Sequence, residues 1–266
     1  MTDPTDPTDP TGPTGPTGPT TAVPSPTAPV TAVAHRGDPY RVRENTLGSL
    51  RSALRHGADA VEIDVRLTRD GVPVLLHDAT LTRLWERDRP VAALSAAEVR
   101  ELTDGGVPTL AEALAATEGH RVMLDLPGAP GDRAVRRIVE VVRGCGAGDR
   151  AYYCAGAAAM LAVRAADPAA EIALTWTTVA PPRPALLAAV RPRWLNYRFG
   201  LVDRALAERV HGDGYALSVW TPDTGRSMRR LIGLGVDSIT TNRVDVLCAV
   251  RGRTLTKGRV AASAER

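Results

Sequence analysis

The chain has 266 residues, a formal net charge of +3 and three cysteines, with 44% hydrophobic and only 4% aromatic residues. That length and apolar content suit one large α/β domain whose core is filled by Ala, Val and Leu. Odd, widely spaced cysteines (Cys145, Cys154, Cys248) exclude a disulfide framework and a cysteine zinc site, and no apolar run reaches membrane-spanning length. The basic residues are almost all arginine, Lys257 being the single lysine. Their even scatter reads as solvated surface, not as a nucleic-acid face.

Residues 1–30 form a Thr/Pro-rich stretch with Gly-Pro-Thr triplets. So little apolar surface cannot offset the entropy of ordering, and a disordered tail is expected. It lacks a basic segment followed by an apolar core, so no secretory signal is read and a cytoplasmic location is the default.

From residue 31 strands and helices alternate. TAVAHRG is the first strand, ending in His35-Arg36-Gly37, and residues 45–56 follow as a helix with Leu47, Leu50 and Leu54 on one face. Asn45 is a candidate both to cap that helix and to help position His35 or the metal shell, and Glu44 either favours its dipole or lies in an outer metal shell. VEIDVRLT (61–68) is the second strand. VPVLLHD (72–78) is a short extra strand that delivers His77. Residues 79–108 hold a small insertion with a helix near SAAEVREL, and Thr109 caps the helix after it.

Further strands are expected at 121–128, 151–155, 171–177, 194–200, 216–221 and 237–242, each followed by a helix. Not counting the extra strand, eight strands with eight helices favour a closed (β/α)8 TIM barrel over an open sheet. The domain therefore runs over 31–252, with a polar tail at 253–266.

Polar groups stand where the apolar runs stop, the place where a parallel α/β protein does its chemistry. Glu62 and Asp64 are two residues apart in a strand and project from one face. Two carboxylates so close repel unless a cation lies between them, and Ca²⁺ or Mg²⁺ suits oxygen ligands. Taken alone, an E-x-D pair is more often an exposed strand feature; the histidines at neighbouring strand ends change its weight. His35 and His77 can pass protons near neutrality. With Arg36 and a metal to neutralise phosphate, the set can break a phosphodiester bond. His56, His120 and His211 have ordinary helix-end and loop settings.

H-R-G, E-N-T, E-I-D and P-V-L-L-H-D, in this order and spacing, resemble the glycerophosphodiester phosphodiesterase family. So do V-P-T-L-A-E-A-L (107–114), V-W-T (219–221) and G-V-D-S-I-T-T-N (235–242). The resemblance covers about residues 31–250. It implies a TIM barrel and a divalent-metal hydrolase that releases glycerol 3-phosphate from a small-molecule glycerophosphodiester. It also implies that Asp125 is the third metal ligand, where the family carries E-x-K, and that Trp220 lines the mouth against the substrate's glycerol part. Here the stretch reads D-L-P: one methylene shorter, with Pro127 in place of the lysine. Asn242 stands where the family usually has Asp, a change read as structural. A lysophospholipase D-like activity belongs to the same chemistry. A barrel that binds phosphodiesters without turning them over is the competing reading that Pro127 motivates.

Overall fold

A computed structural model of the chain describes residues 29–128 and 130–252; the Thr/Pro tail up to residue 28 and the polar segment 253–266 lie outside the described residues. Nine strands form one sheet: β1 (Thr31–Ala34), β2 (Ala60–Leu67), β3 (Pro73–Leu75), β4 (Arg121–Asp125), β5 (Ala151–Ala155), β6 (Ile172–Trp176), β7 (Trp194–Arg198), β8 (Ala216–Trp220) and β9 (Ser238–Thr241). Eight pair in parallel, and β1 pairs both β2 and β9, which closes the barrel. β3 alone is antiparallel, folded back on the end of β2 with Val65 opposite Leu75. This is the eight-stranded barrel expected from the alternation of elements.

The helices cover the outside: α1 (Leu47–Arg55), α2 (Thr82–Trp85), α3 (Ala96–Leu102), α4 (Leu110–Ala116), α5 (Asp132–Gly144), α6 (Ala157–Ala166), α7 (Pro184–Val190), α8 (Arg204–Gly212) and α9 (Gly225–Gly233), followed by helix from 244 to 252. Their apolar stripes meet the outward strand residues in one continuous core that includes Leu50, Ile63, Leu124, Ile138 and Leu217. Burying each such side chain contributes about 1.5–3 kcal/mol. Inside the barrel a second cluster stacks Val33, Ala60, Met123, Tyr152 and Trp194. It plugs the lower half, so the upper half can hold polar groups without opening a channel. The floor is tied by Glu171, which accepts from Trp194 Nε1 at 2.7 Å and Arg121 Nη2 at 2.6 Å.

The insertion at 79–108 packs Leu81, Leu94 and Val99 against Val74 of β3 in a small core of its own. Ser95 and Thr109 each form a reciprocal capping box, with Glu98 and Glu112. One local expectation is corrected. Thr46, not Asn45, caps α1, accepting from Ser49 N. Asn45 adopts a left-handed φ of 55° and turns inward.

Candidate active site

At the carboxyl ends of the strands lies a cavity of about 490 Å³. Its lining includes His35, Arg36, His77 and Trp220 together with Glu62, Asp64 and Asp125, so the residues expected to transfer protons, bind substrate or ligate metal all reach one space.

Register explains why. Asp64 of β2 stands directly beside Asp125 of β4, and Glu62 is one inward position below. The three carboxylates offer ligand atoms within 4.8 Å of one another. The shorter Asp125 side chain therefore still reaches the cluster. Burial first, and then the charges of Asp64 and Asp125, push Glu62 well above the usual carboxylate range. Burial and Asp64 push Asp125 up to about 7. Three carboxylates share Arg36 as a close cation, its Nε 3.1 Å from Asp64. This uncompensated negative charge and all-oxygen donor set fit a hard divalent cation.

The turn after β1 is built around that cluster. Arg36 and Gly37 both take positive φ, 56° and 86°. The turn lets the backbone N–H of Arg36 donate to Glu62 Oε2 at 2.8 Å. Asn45 then braces Asp64 twice: its Nδ2 donates to Oδ2 at 2.7 Å, and its Oδ1 accepts from the Asp64 N–H at 3.2 Å. Asn45 thus serves the carboxylate cluster rather than the helix.

His35 lies 4.0 Å from Glu62 through Nε2, and its Nδ1 lies 2.7 Å from Asn242 Oδ1. Burial and the charge of Arg36 lower its pKa, which favours the neutral ring. Across the cavity, His77 Nδ1 lies 2.8 Å from Asp78 Oδ1. Arg83, more than the imidazole, holds the Asp78 carboxyl down at about 2.

Several participants escaped the sequence reading. Arg83 of α2 donates through Nε to Asp78 at 2.6 Å and through Nη2 to Glu44 at 2.6 Å. Glu44 also accepts from Arg36 Nη1 at 3.0 Å. An alternating chain of charge thus runs Asp64–Arg36–Glu44–Arg83–Asp78–His77. Glu44 is neither in the first turn of α1 nor a member of the metal cluster; it is the bridge of this chain. Asn242 is bound to His35 and, through Nδ2, to Asp223 at 2.8 Å, which its reading as structural had overlooked. On the wall opposite the carboxylates, Asn196 joins Cys154 and Thr175.

Comparison with known proteins places the chain in a family. The model of the glycerophosphoryl diester phosphodiesterase family matches residues 35–246. A protein of Mycobacterium tuberculosis named "Probable glycerophosphodiester phosphodiesterase 2" is 32% identical over 244 residues, 81% of this chain and 88% of that protein. Among solved structures, a phosphodiesterase from Oleispira antarctica in complex with the product sn-glycerol-3-phosphate superposes with a TM-score of 0.73 at 25% identity, over 84% of this chain and 96% of that one. The glycerophosphodiester phosphodiesterase of Thermotoga maritima superposes with a TM-score of 0.72 at 21% identity, over 83% and 98%, a likeness of fold.

Proposed function

The chain belongs to the glycerophosphoryl diester phosphodiesterase family of hydrolases, and from that membership we propose that it cleaves glycerophosphodiesters to glycerol 3-phosphate and an alcohol, using His35 and His77 as its proton-transfer pair. The observation that carries this reading is the placement of both imidazoles on one cavity with the carboxylate cluster of Glu62, Asp64 and Asp125.

Those three carboxylates would hold Ca²⁺ or Mg²⁺, which when bound draws charge from the phosphate. Arg36 adds a fixed positive charge beside them. Asp223 is an acceptor, so it takes the amide N–H₂ of Asn242 and turns Oδ1 toward His35. The proton of His35 therefore sits on Nδ1, leaving Nε2 to receive one from the attacking hydroxyl, whether of water or of the substrate's own glycerol. Asp78 accepts the Nδ1–H of His77, and to act as the acid this ring enters the step carrying a second proton, on the opposite nitrogen, which it gives to the departing alcohol. Trp220 lines the mouth for the glycerol part.

The test is hydrolysis of glycerophosphocholine, a lysophospholipid and a general phosphodiester with Ca²⁺, with Mg²⁺ and with chelator. Metal-dependent release of glycerol 3-phosphate is expected. His35→Ala and His77→Ala should each lower kcat by roughly 10²–10⁴-fold with the fold intact. Full activity in either variant refutes its role. A folded, metal-binding protein without turnover would support the non-catalytic barrel instead.

A further inference from the structure

Arg66 stands near the end of β2, paired with Val74 of β3. Its Nε donates to the backbone carbonyl of His77 at 2.7 Å, which ties the guanidinium to the segment that carries that imidazole. On its other side lies Gly128, where a β-carbon would meet Nη1 at 3.4 Å and Nη2 at 3.9 Å. His77 and Gly128 both line the cavity. Partial burial lowers the Arg66 pKa, and the charges of Asp64, Asp78 and Asp125 oppose that.

The neighbouring arginines are committed elsewhere. Arg83 spends all three side-chain nitrogens on Asp78 and Glu44. Arg36 directs Nε at Asp64 and Nη1 at Glu44, which leaves it Nη2 alone and no open fork. Arg66 is different: among the described residues, Nη1 and Nη2 have no hydrogen-bond partner, and neither is a sealed, buried atom. A guanidinium anchored at one nitrogen, with its fork open, is pre-organised to take an anionic oxygen in two N–H bonds.

We propose that Arg66 is a substrate-binding residue whose Nη1 and Nη2 take a phosphate oxygen facing away from Glu62, Asp64 and Asp125. This inference rests on the reading of the cavity as a phosphodiester site.

The experiment compares the full chain with R66Q and R66K at saturating metal. It measures kcat and KM on glycerophosphocholine and glycerophosphoglycerol, and Kd for glycerol 3-phosphate and for the metal alone by calorimetry. Loss of a charge-assisted pair predicts that R66Q raises KM and the glycerol 3-phosphate Kd roughly 10- to 100-fold, equally for both head groups. Metal affinity should stay as it was, and R66K should recover part of the loss, since lysine keeps the charge and lacks the fork. Unchanged KM and Kd in R66Q overturn the proposal. So does an effect confined to one head group, or one fully explained by weaker metal binding. If the wild-type protein neither hydrolyses these diesters nor binds glycerol 3-phosphate with any metal, the reading of the cavity itself fails and this inference falls with it.

Discussion

The side-chain oxygen of Asn242 lies 2.7 Å from Nδ1 of His35, and the amide nitrogen of the same residue donates to Asp223 at 2.8 Å. Asp223 is held in turn by Thr241 Oγ1 and the Asn242 backbone N–H. The ring of His35 is thus set by a relay that arrives from β9 and the loop after β8. Asn242→Leu keeps the bulk and removes the acceptor. It should lower kcat roughly 10- to 100-fold, the range usual for losing an orienting partner, while metal affinity changes little. Steady-state kinetics beside metal titration checks this; a kcat equal to wild type would mean that His35 needs no such brace.

Arg83 brings the insertion into the chemistry. Its side chain is about half exposed, so its ion pairs with Asp78 and Glu44 stabilise the fold by no more than about 1 kcal/mol. Its worth is positional, because it fixes the Asp78 carboxylate on which His77 leans. Arg83→Ala should leave the thermal midpoint nearly unchanged and reduce kcat several-fold or more. A large loss of stability with normal turnover per folded molecule would contradict this.

The carboxylate cluster makes metal binding depend on pH. Asp125 has a pKa of about 7 in the metal-free protein against an ordinary 3.8, and Glu62 moves the same way. The folded state therefore binds these protons more tightly than the unfolded state does. Without metal, stability is greatest below about pH 4 as far as these groups are concerned, and declines as pH rises toward 7. A cation needs the ionised carboxylates, so its affinity and its stabilising effect should both grow from pH 6 to pH 8. Thermal denaturation at the two pH values, with Mg²⁺ or Ca²⁺ and with chelator, should show the larger metal-induced shift at pH 8. Asp125→Asn should weaken the metal and flatten this pH dependence.

Gly37 carries the turn that aims Arg36. At a φ of 86°, a β-carbon would come within 2.4 Å of Ser49 Oγ and 2.6 Å of the Ser49 carbonyl carbon. Gly37→Ala must therefore push β1 and α1 apart. A destabilisation of at least about 1–3 kcal/mol is expected, with loss of activity in what still folds. Denaturant unfolding would measure the first and single-turnover assay the second. Gly71, also at positive φ but facing open space, makes a suitable contrast: alanine there should cost the backbone strain alone.

Much of the barrel could be read before any coordinates. Strand ends announce themselves as polar groups after apolar runs: His35 and His77 follow such ends, and Glu62 and Asp64 alternate on one face within β2, so their meeting in one cavity was foreseeable. What the sequence hid depends on closure. Asn242 is 207 positions from His35 and becomes its neighbour only because β9 pairs with β1. Arg83 sits in an irregular segment without periodicity, and nothing in TLTRLW says that its guanidinium will bridge two acidic groups. Asn45 was legible by half: beside a helix start it reads as a cap as well as a brace for the site, and because the adjacent Thr46 does the capping its amide is free for Asp64. Nothing in the sequence marks Arg66, because a strand that folds back on β2 is what brings the carbonyl of His77 to it.

The pairing of β1 with β9 has a consequence for biosynthesis. His35 is made early and Asn242 about two hundred residues later, and the backbone N–H of His35 bonds to the carbonyl of Thr241. A ribosome-bound chain lacking the last strand holds both histidines and all three carboxylates but cannot seat the first imidazole. Hydrolysis should therefore begin only when the final strand has emerged, and chains cut before residue 238 should be inactive however well their earlier elements have folded.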